Sequence, residues 1–242
     1  MKKFFEKLLA AVNFAWDELF DFQIKLIVEK SAPLSHDNNF TFSAFPVVGF
    51  IVGFAAALVS LAVTGIFNLQ AGALVFAILS WVILCFKDSG RGDCWLANFF
   101  LGKVAMDANR DLLRNILNLF PMMIKFLILL FIGLAGEMLY FPVLLATAFA
   151  LQAALAGSED CRTEFIPSGE DGMKYFRITL IVLGIIGVIL SRIGCVAAIA
   201  IAFALFYFFN RKMVREGFTP ESISSAGYIA EWTLLVAGLL FA

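Results

Sequence analysis

Residues 41–67 read TFSAFPVVGFIVGFAAALVSLAVTGIF, twenty-seven consecutive positions without a charge. A helix needs about 20 apolar residues to cross roughly 30 Å of hydrocarbon, so this stretch decides the class of fold. The rest of the chain agrees with it. Of 242 residues, 62% are hydrophobic and 15% charged, with 28 phenylalanines beside 4 tyrosines and a mean hydropathy of +0.92. Soluble domains hold roughly 45–50% apolar and 25% charged residues, and a soluble surface of this size could not be covered by so few charges. Disordered chains are polar and poor in aromatics. The sequence predicts a single integral membrane domain: an all-α transmembrane bundle over 41–242, preceded by a cytosolic or interfacial helix and loop over 1–40.

Further apolar runs lie on either side. Ala71 to Phe86 follows a minimal turn at Asn68-Leu69-Gln70. Ile116 to Gly136 is interrupted by Pro121 and Lys125, and Met138 to Gly157 comes next. Ile178–Leu190 and Ile193–Phe209 flank Ser191-Arg192 and form either a tight hairpin of two spans or one long bent helix. The hairpin is favoured, since 32 helical residues would be about 48 Å long. A last run extends from about Ser224 to Ala242 and contains Glu231. The count is six to seven spans.

The charges give an independent test. With the N-terminus in the cytosol and loops assigned alternately, the cytosolic segments hold Lys2, Lys3, Lys7, Lys25 and Lys30; Lys87, Arg91, Lys103, Arg110 and Arg114; Arg162, Lys174 and Arg177; and Arg211, Lys212 and Arg215. Those are 16 of the 18 basic residues, with Arg192 outside and Lys125 inside a span. The positive-inside rule favours seven spans, N-terminus in and C-terminus out, with every substantial polar loop on the cytosolic face.

Residues 3 to 30 read as helical but not spanning. Phe4, Leu8, Ala11, Phe14, Ala15 and Glu18 share one side at i, i+3 and i+4 spacing, so the segment either lies along the interface or packs on the bundle. It is broken by Glu6, Lys7, Asp17 and Glu18 and does not read as a secretory signal. His36 sits in the polar stretch Ser35–Asn39, where a solvated histidine is the ordinary case. Cys85, Cys94, Cys161 and Cys195 have no paired spacing and signal neither a zinc site nor disulfides. A net charge of −1 gives no sign of a nucleic-acid partner.

Three segments carry a family resemblance. Phe45-Pro46-Val47-Val48-Gly49-Phe50-Ile51-Val52-Gly53 follows a Leu-Leu-Ala-Ala-Val-Asn-Phe stretch at 8–14. Gly217-Phe218-Thr219-Pro220-Glu221-Ser222-Ile223-Ser224-Ser225-Ala226 continues to Ala230-Glu231. Phe86-Lys87-Asp88-Ser89-Gly90-Arg91-Gly92-Asp93-Cys94-Trp95 follows the second apolar run. Together they resemble the cobalamin synthase family, the adenosylcobinamide-GDP ribazoletransferases. The first is similar to that family's F-P-[LV]-[VI]-G-x-x-x-G opening, and the second to G-[GIL]-T-G-D-[TV]-L-G-A-A, with Pro220 for a glycine and Glu221 for an aspartate. The third stands where the family has H-L-D-G-[LM]-A-D-x-x-D-G; its histidine and third aspartate have no counterpart here. Arg110-Asp111-Leu112-Leu113-Arg114 faintly resembles the family's R-D-S-R-x-G.

Each segment has a plainer reading as well. Gly49 and Gly53 make a small-x-x-x-small face for close helix packing. Thr219-Pro220-Glu221 is an N-cap, proline, acid helix start. Asp107, Arg110, Asp111 and Arg114 have the spacing of surface ion pairs. Asp88–Asp93 also suits an ordinary charged loop, and Glu159, Asp160, Glu164, Glu170 and Asp171 a solvated acidic rim.

The resemblance implies a transferase in the bacterial inner membrane, and the one-sided polar loops favour a cytosolic active face over a transmembrane conduit. It would join adenosylcobinamide-GDP to α-ribazole, or its 5′-phosphate, with release of GMP in late cobalamin biosynthesis. It further implies Mg²⁺ held by Asp88, Asp93 and Glu221, an ion that takes one or two carboxylates plus substrate phosphates. Catalytic roles fall to Asp88, Asp93 and Asp111. Arg91, Arg110, Arg114 and Thr219 would bind substrate. A catalytically impaired scaffold of the corrinoid pathway and a small transporter are the alternatives, and homo-oligomers or pathway partners stay open.

Lys125 and Glu231 stand apart. Charges inside spans are costly and mark function or pairing. Each is expected some 8–10 residues inside its helix from the cytosolic side, at matching depth, either paired or flanking a polar pocket.

Overall fold

The computed structural model describes residues 2–19, 38–86, 110–157, 169–216 and 220–241. Among them there are eight α-helices and no strand: α1 (Lys2–Leu19), α2 (Thr41–Ile66), α3 (Leu69–Phe86), α4 (Arg110–Leu134), α5 (Tyr140–Ala156), α6 (Gly172–Leu190), α7 (Arg192–Glu216) and α8 (Pro220–Phe241). Three stretches are long and apolar enough to cross a membrane: α2, α6 and Gly194–Arg215 of α7. Shorter apolar helical stretches lie at Leu69–Cys85, Phe120–Leu134, Tyr140–Ala156 and Ser225–Phe241. This pattern points to a membrane protein.

Local chemistry sets the helix ends. Asn68 starts α3 by accepting the Ala71 N–H at 2.8 Å, the work of an N-cap side chain; the turn is therefore Phe67-Asn68, shorter than the sequence suggested. Gly136, at φ +86°, ends α4. Its N–H reaches Gly133 O at 3.0 Å while Glu137 N–H reaches Ile132 O at 3.1 Å, the paired bonds of a glycine C-cap. Helix α4 begins at Arg110, six residues before the apolar run expected from Ile116, because helical backbone continues through the charged turns that hydropathy leaves out. Pro142 falls in the first turn of α5, where its missing N–H has no helical partner to lose.

The 178–209 region is two helices. Ser191, at φ −141° and ψ 74°, breaks the helical path, yet its carbonyl accepts the Cys195 N–H at 2.7 Å, so α7 restarts at once. A Cβ built on Gly184 would lie 3.9 Å from Ile199 Cδ1, so the chain doubles back there.

Helix α5 is the hub. It packs against α2, α6, α7 and α8, and 15 of its 17 residues are buried, which explains why its sequence is apolar on every side. Close approach to α2 rests on the two glycines singled out above. A Cβ on Gly49 would stand 2.5 Å from Phe149 Cδ2 and 3.0 Å from Leu145 O, and one on Gly53 2.7 Å from Pro142 Cα. These glycines let two backbones touch.

Contacts along the helices also fix their directions. Gly133 meets Ala73 and Phe76, while Trp81 Nε1 donates to Met122 O at 3.0 Å, so α3 and α4 are antiparallel. Gly53 meets Pro142 while Gly157 lies against Phe42, so α2 and α5 are too. Gly227 abuts Gln152, and the Tyr140 hydroxyl donates to Leu234 O at 2.8 Å, which sets α8 antiparallel to α5. Helices α2 to α8 thus alternate in direction. One end collects α1, the starts of α2, α4, α6 and α8, and the ends of α3, α5 and α7. The opposite end carries the short connections at 67–68, 135–139 and 191.

Helix α1 packs against α2 at the first of these ends. Ala11, Ala15 and Leu19 enter the core, and Phe14 meets Phe45 edge-on at 6.3 Å. Asn38 ties the junction. Its Nδ2 donates to Lys7 O at 2.7 Å, its Oδ1 accepts the Phe40 N–H at 3.0 Å, and its carbonyl accepts Thr41 Oγ1 at 3.1 Å and Gly169 N at 3.2 Å. Of the segment expected to be helical over 3–30, residues 20–30 lie outside the described residues, as does His36.

Candidate functional site

On α4, Pro121, Lys125, Ile128, Leu129, Ile132 and Gly133 are buried. Their spacing of three or four residues makes one continuous stripe, and Lys125 is its only charge. On α8, Tyr228, Glu231 and Leu235 form the matching buried stripe, with Trp232 beside it. Where the helices meet, Lys125 Nζ lies 2.7 Å from Glu231 Oε1. Both residues are almost fully enclosed, at 2% and 1% exposure.

The ammonium has more than a carboxylate for company. It stands 4.5 Å from the Tyr228 ring centroid and 5.4 Å from that of Trp232, within the range where an aromatic face attracts a cation. Tyr228 and Trp232 are one turn apart and meet edge-to-face at 6.4 Å. Two rings and a carboxylate from α8 therefore surround one amine from α4. The Trp232 indole N–H, buried here, finds no acceptor among the described residues. One turn nearer the start of α8, Gly227 leaves space for the Gln152 side chain of α5, itself buried. Gln152, Tyr228, Glu231 and Lys125 thus set polar groups along the α4–α5–α8 interior.

The pair meets at matching depth measured from the end opposite α1. Lys125 is nine residues from Leu134 and Glu231 ten from Phe241, about 14 and 15 Å of helix. From the other end they lie fifteen residues after Arg110 and eleven after Pro220, deeper than the 8–10 expected, because both helices start before their apolar runs.

The remaining sequence candidates fall differently. Asp88, Arg91, Asp93 and Thr219 lie outside the described residues. Arg110, Asp111 and Arg114 stand in the first turns of α4, and Glu221 in the first turn of α8; their side chains also lie outside what is described. The two helix starts share one end of the bundle. Among the described residues, no three His, Cys, Asp or Glu side chains group so as to hold a metal ion. Cys195 is buried and donates to Gly184 O at 3.7 Å, as a thiol used for packing does.

The aromatic partners of Lys125 escaped the sequence reading. Their signal was the spacing Tyr228–Glu231–Trp232, which puts Tyr228 one turn from both the acid and the second ring. Comparison with family models, curated proteins and solved structures gives no match to this chain.

Proposed function

We propose that the chain is an integral membrane protein of six to seven spans, seven in the favoured topology, with its basic end in the bacterial cytosol. We further propose that it acts there as a cobalamin synthase-like transferase. The observation that carries this reading is the alternation of α2 to α8. Phe86 and Arg110, which bound the segment with Asp88, Arg91 and Asp93, belong to the same end as Pro220, beside Thr219 and Glu221. The described residues that flank the two segments to which the resemblance assigns one site, Phe86 and Arg110 on one side and Pro220 on the other, therefore lie at one end of the bundle, although over 100 positions separate Arg110 from Pro220.

In the proposed reaction a ribazole hydroxyl oxygen attacks the phosphorus that carries the cobinamide. The bond from that phosphorus to the GMP oxygen breaks, and GMP leaves with the electron pair. Asp111 orients the hydroxyl and receives its proton, while Arg91, Arg110 and Arg114 hold phosphate oxygens through paired N–H donors. Magnesium, with Asp88, Asp93 and Glu221 as its carboxylates, would supply neutralisation of phosphate charge.

The test is GMP release from adenosylcobinamide-GDP and α-ribazole by the purified full chain. Wild type is expected to form GMP only with Mg²⁺, and Asp88→Ala to lose at least about a hundredfold, the equivalent of about 2.7 kcal/mol of charge stabilisation. Wild-type release no faster than that of Asp88→Ala would overturn the assignment.

A second reading, a small transporter, is favoured by one observation: a buried ion pair at mid-bundle beside a Trp232 N–H that has no acceptor among the described residues. Intramembrane ionisable residues commonly mark a translocation path. Uptake into vesicles that carry the wild-type chain and not into empty vesicles, with no GMP released by wild type, would favour that reading over the transferase.

A further inference from the structure

Helices α6 and α7 carry the most outward-facing apolar surface in the bundle. Ile181, Ile185 and Ile189 of α6, and Val196, Phe203 and Tyr207 of α7, are each at least 60% exposed. Between Gly172 and Arg215 the chain has six basic residues and no acid. Apart from Arg192 at the hairpin tip, those bases sit in the first turns of α6 (Lys174, Arg177) and the last turns of α7 (Arg211, Lys212, Arg215), all exposed and all at the α1 end.

The outer face of α7 is ordered by chemistry. Val196, Ile199, Phe203, Tyr207, Arg211 and Arg215 follow one another at three- and four-residue steps, and every one is exposed. They form a single stripe that passes from aliphatic to aromatic to cationic. From Val196 to Tyr207 is eleven residues, about 16 Å of helix, close to half of a roughly 30 Å hydrocarbon layer. Tyrosine rings favour the glycerol and headgroup level, and the two arginines, one and two turns beyond Tyr207, reach the depth of the phosphates. Helix α6 repeats the order from Lys174 and Arg177 down through Ile178, Ile181 and Ile185.

We propose that the outer face of α7 is a binding site for one anionic phospholipid of the leaflet at the basic end. Arg211 and Arg215 take the phosphate, Tyr207 lies against the glycerol, and an acyl chain runs along Phe203, Ile199 and Val196. The occupant is a lipid rather than a soluble phosphate, because the cations continue an apolar track of acyl-chain length. This rests on the membrane reading above and is independent of the transferase chemistry.

The experiment uses the full chain in mild detergent, exposed to an equimolar mixture of phosphatidylglycerol and phosphatidylcholine with matched acyl chains. Retained lipids are counted by native mass spectrometry. Wild type is expected to hold phosphatidylglycerol over phosphatidylcholine by roughly ten- to thirtyfold, from two arginines near the surface. Arg211→Gln/Arg215→Gln is expected to bring that ratio close to one, and Arg211→Lys/Arg215→Lys to keep most of it. Equal retention of the two lipids by wild type overturns the proposal while leaving the membrane reading intact. A chain that stays soluble without detergent and retains neither lipid overturns both. Displacement of phosphatidylglycerol by millimolar inorganic phosphate would make this a phosphate site and would likewise overturn it. The wild-type ratio does not depend on any variant folding.

Discussion

Lys125 on α4 and Glu231 on α8, 106 residues apart, meet at 2.7 Å in the apolar interior. Each charge alone would cost about 2.5–3.5 kcal/mol at the centre of a bilayer helix, and together they remove most of that penalty. Truncating one leaves the other buried without its counter-charge. Lys125→Met and Glu231→Gln are therefore each expected to destabilise the protein by about 3–5 kcal/mol. The double variant Lys125→Met/Glu231→Met should recover most of the loss, as should the exchange Lys125→Glu/Glu231→Lys. Reversible unfolding in mixed detergent micelles measures both. Additive losses in the doubles would mean the pair does not act as a unit.

The α2–α5 contact makes a sharp contrast between glycines. Gly53→Leu would drive a side chain into the Pro142 backbone, whereas a Cβ on Gly65 has nothing within 4 Å. Gly53→Leu should abolish recovery of folded protein, and Gly65→Leu should leave unfolding within about 0.5 kcal/mol of wild type. Recovery and thermal denaturation in detergent read both.

Asn38→Ala removes the side-chain bonds to Lys7 O and the Phe40 N–H. In a residue only 1% exposed, losing both bonds and leaving the Phe40 N–H without its acceptor should cost about 1–3 kcal/mol. Because α1 is held at this point, amide exchange should rise across residues 2–19 while α5 stays protected. An unchanged α1 would show that the Ala11, Ala15 and Leu19 packing suffices.

For the proposed transferase, Asp93→Asn and Glu221→Gln should raise the magnesium concentration for half-maximal GMP release by roughly tenfold or more. Arg114→Gln should instead raise KM for adenosylcobinamide-GDP. Chelation of Mg²⁺ should stop the wild-type reaction and readdition should restore it, followed as GMP formed over time.

Much of the fold could be read from hydropathy because crossing a bilayer demands long uncharged runs, and 41–67 is one. The runs misplaced the start of α4, where Arg110, Asp111 and Arg114 continue the helix beyond its apolar part. They also left two readings of 178–209, since a one-residue break at Ser191 has almost no compositional trace. Lys125 and Glu231 stood out because charge in an apolar run is rare. Tyr228 and Trp232 did not, because aromatics are common throughout this chain and only the α4–α8 packing gives these two a cation to face. The sequence could nominate Asp88, Asp93 and Glu221 by motif alone; the alternating helices add only that Phe86, Arg110 and Pro220, which adjoin those positions in sequence, lie at one end.

The transferase proposed for the basic end depends on which side of the membrane that end faces. The most direct measurement is a set of reporter fusions in a bacterial inner membrane, with a cytosol-dependent fluorescent protein and a periplasm-dependent phosphatase each joined after Gly136, Gly157, Ser191, Glu216 and Ala242. The pattern expected of seven spans with the basic end in the cytosol is fluorescence after Gly157 and Glu216, and phosphatase activity after Gly136, Ser191 and Ala242. Phosphatase activity after Gly157 or Glu216, or one reporter active at all five positions, would contradict it.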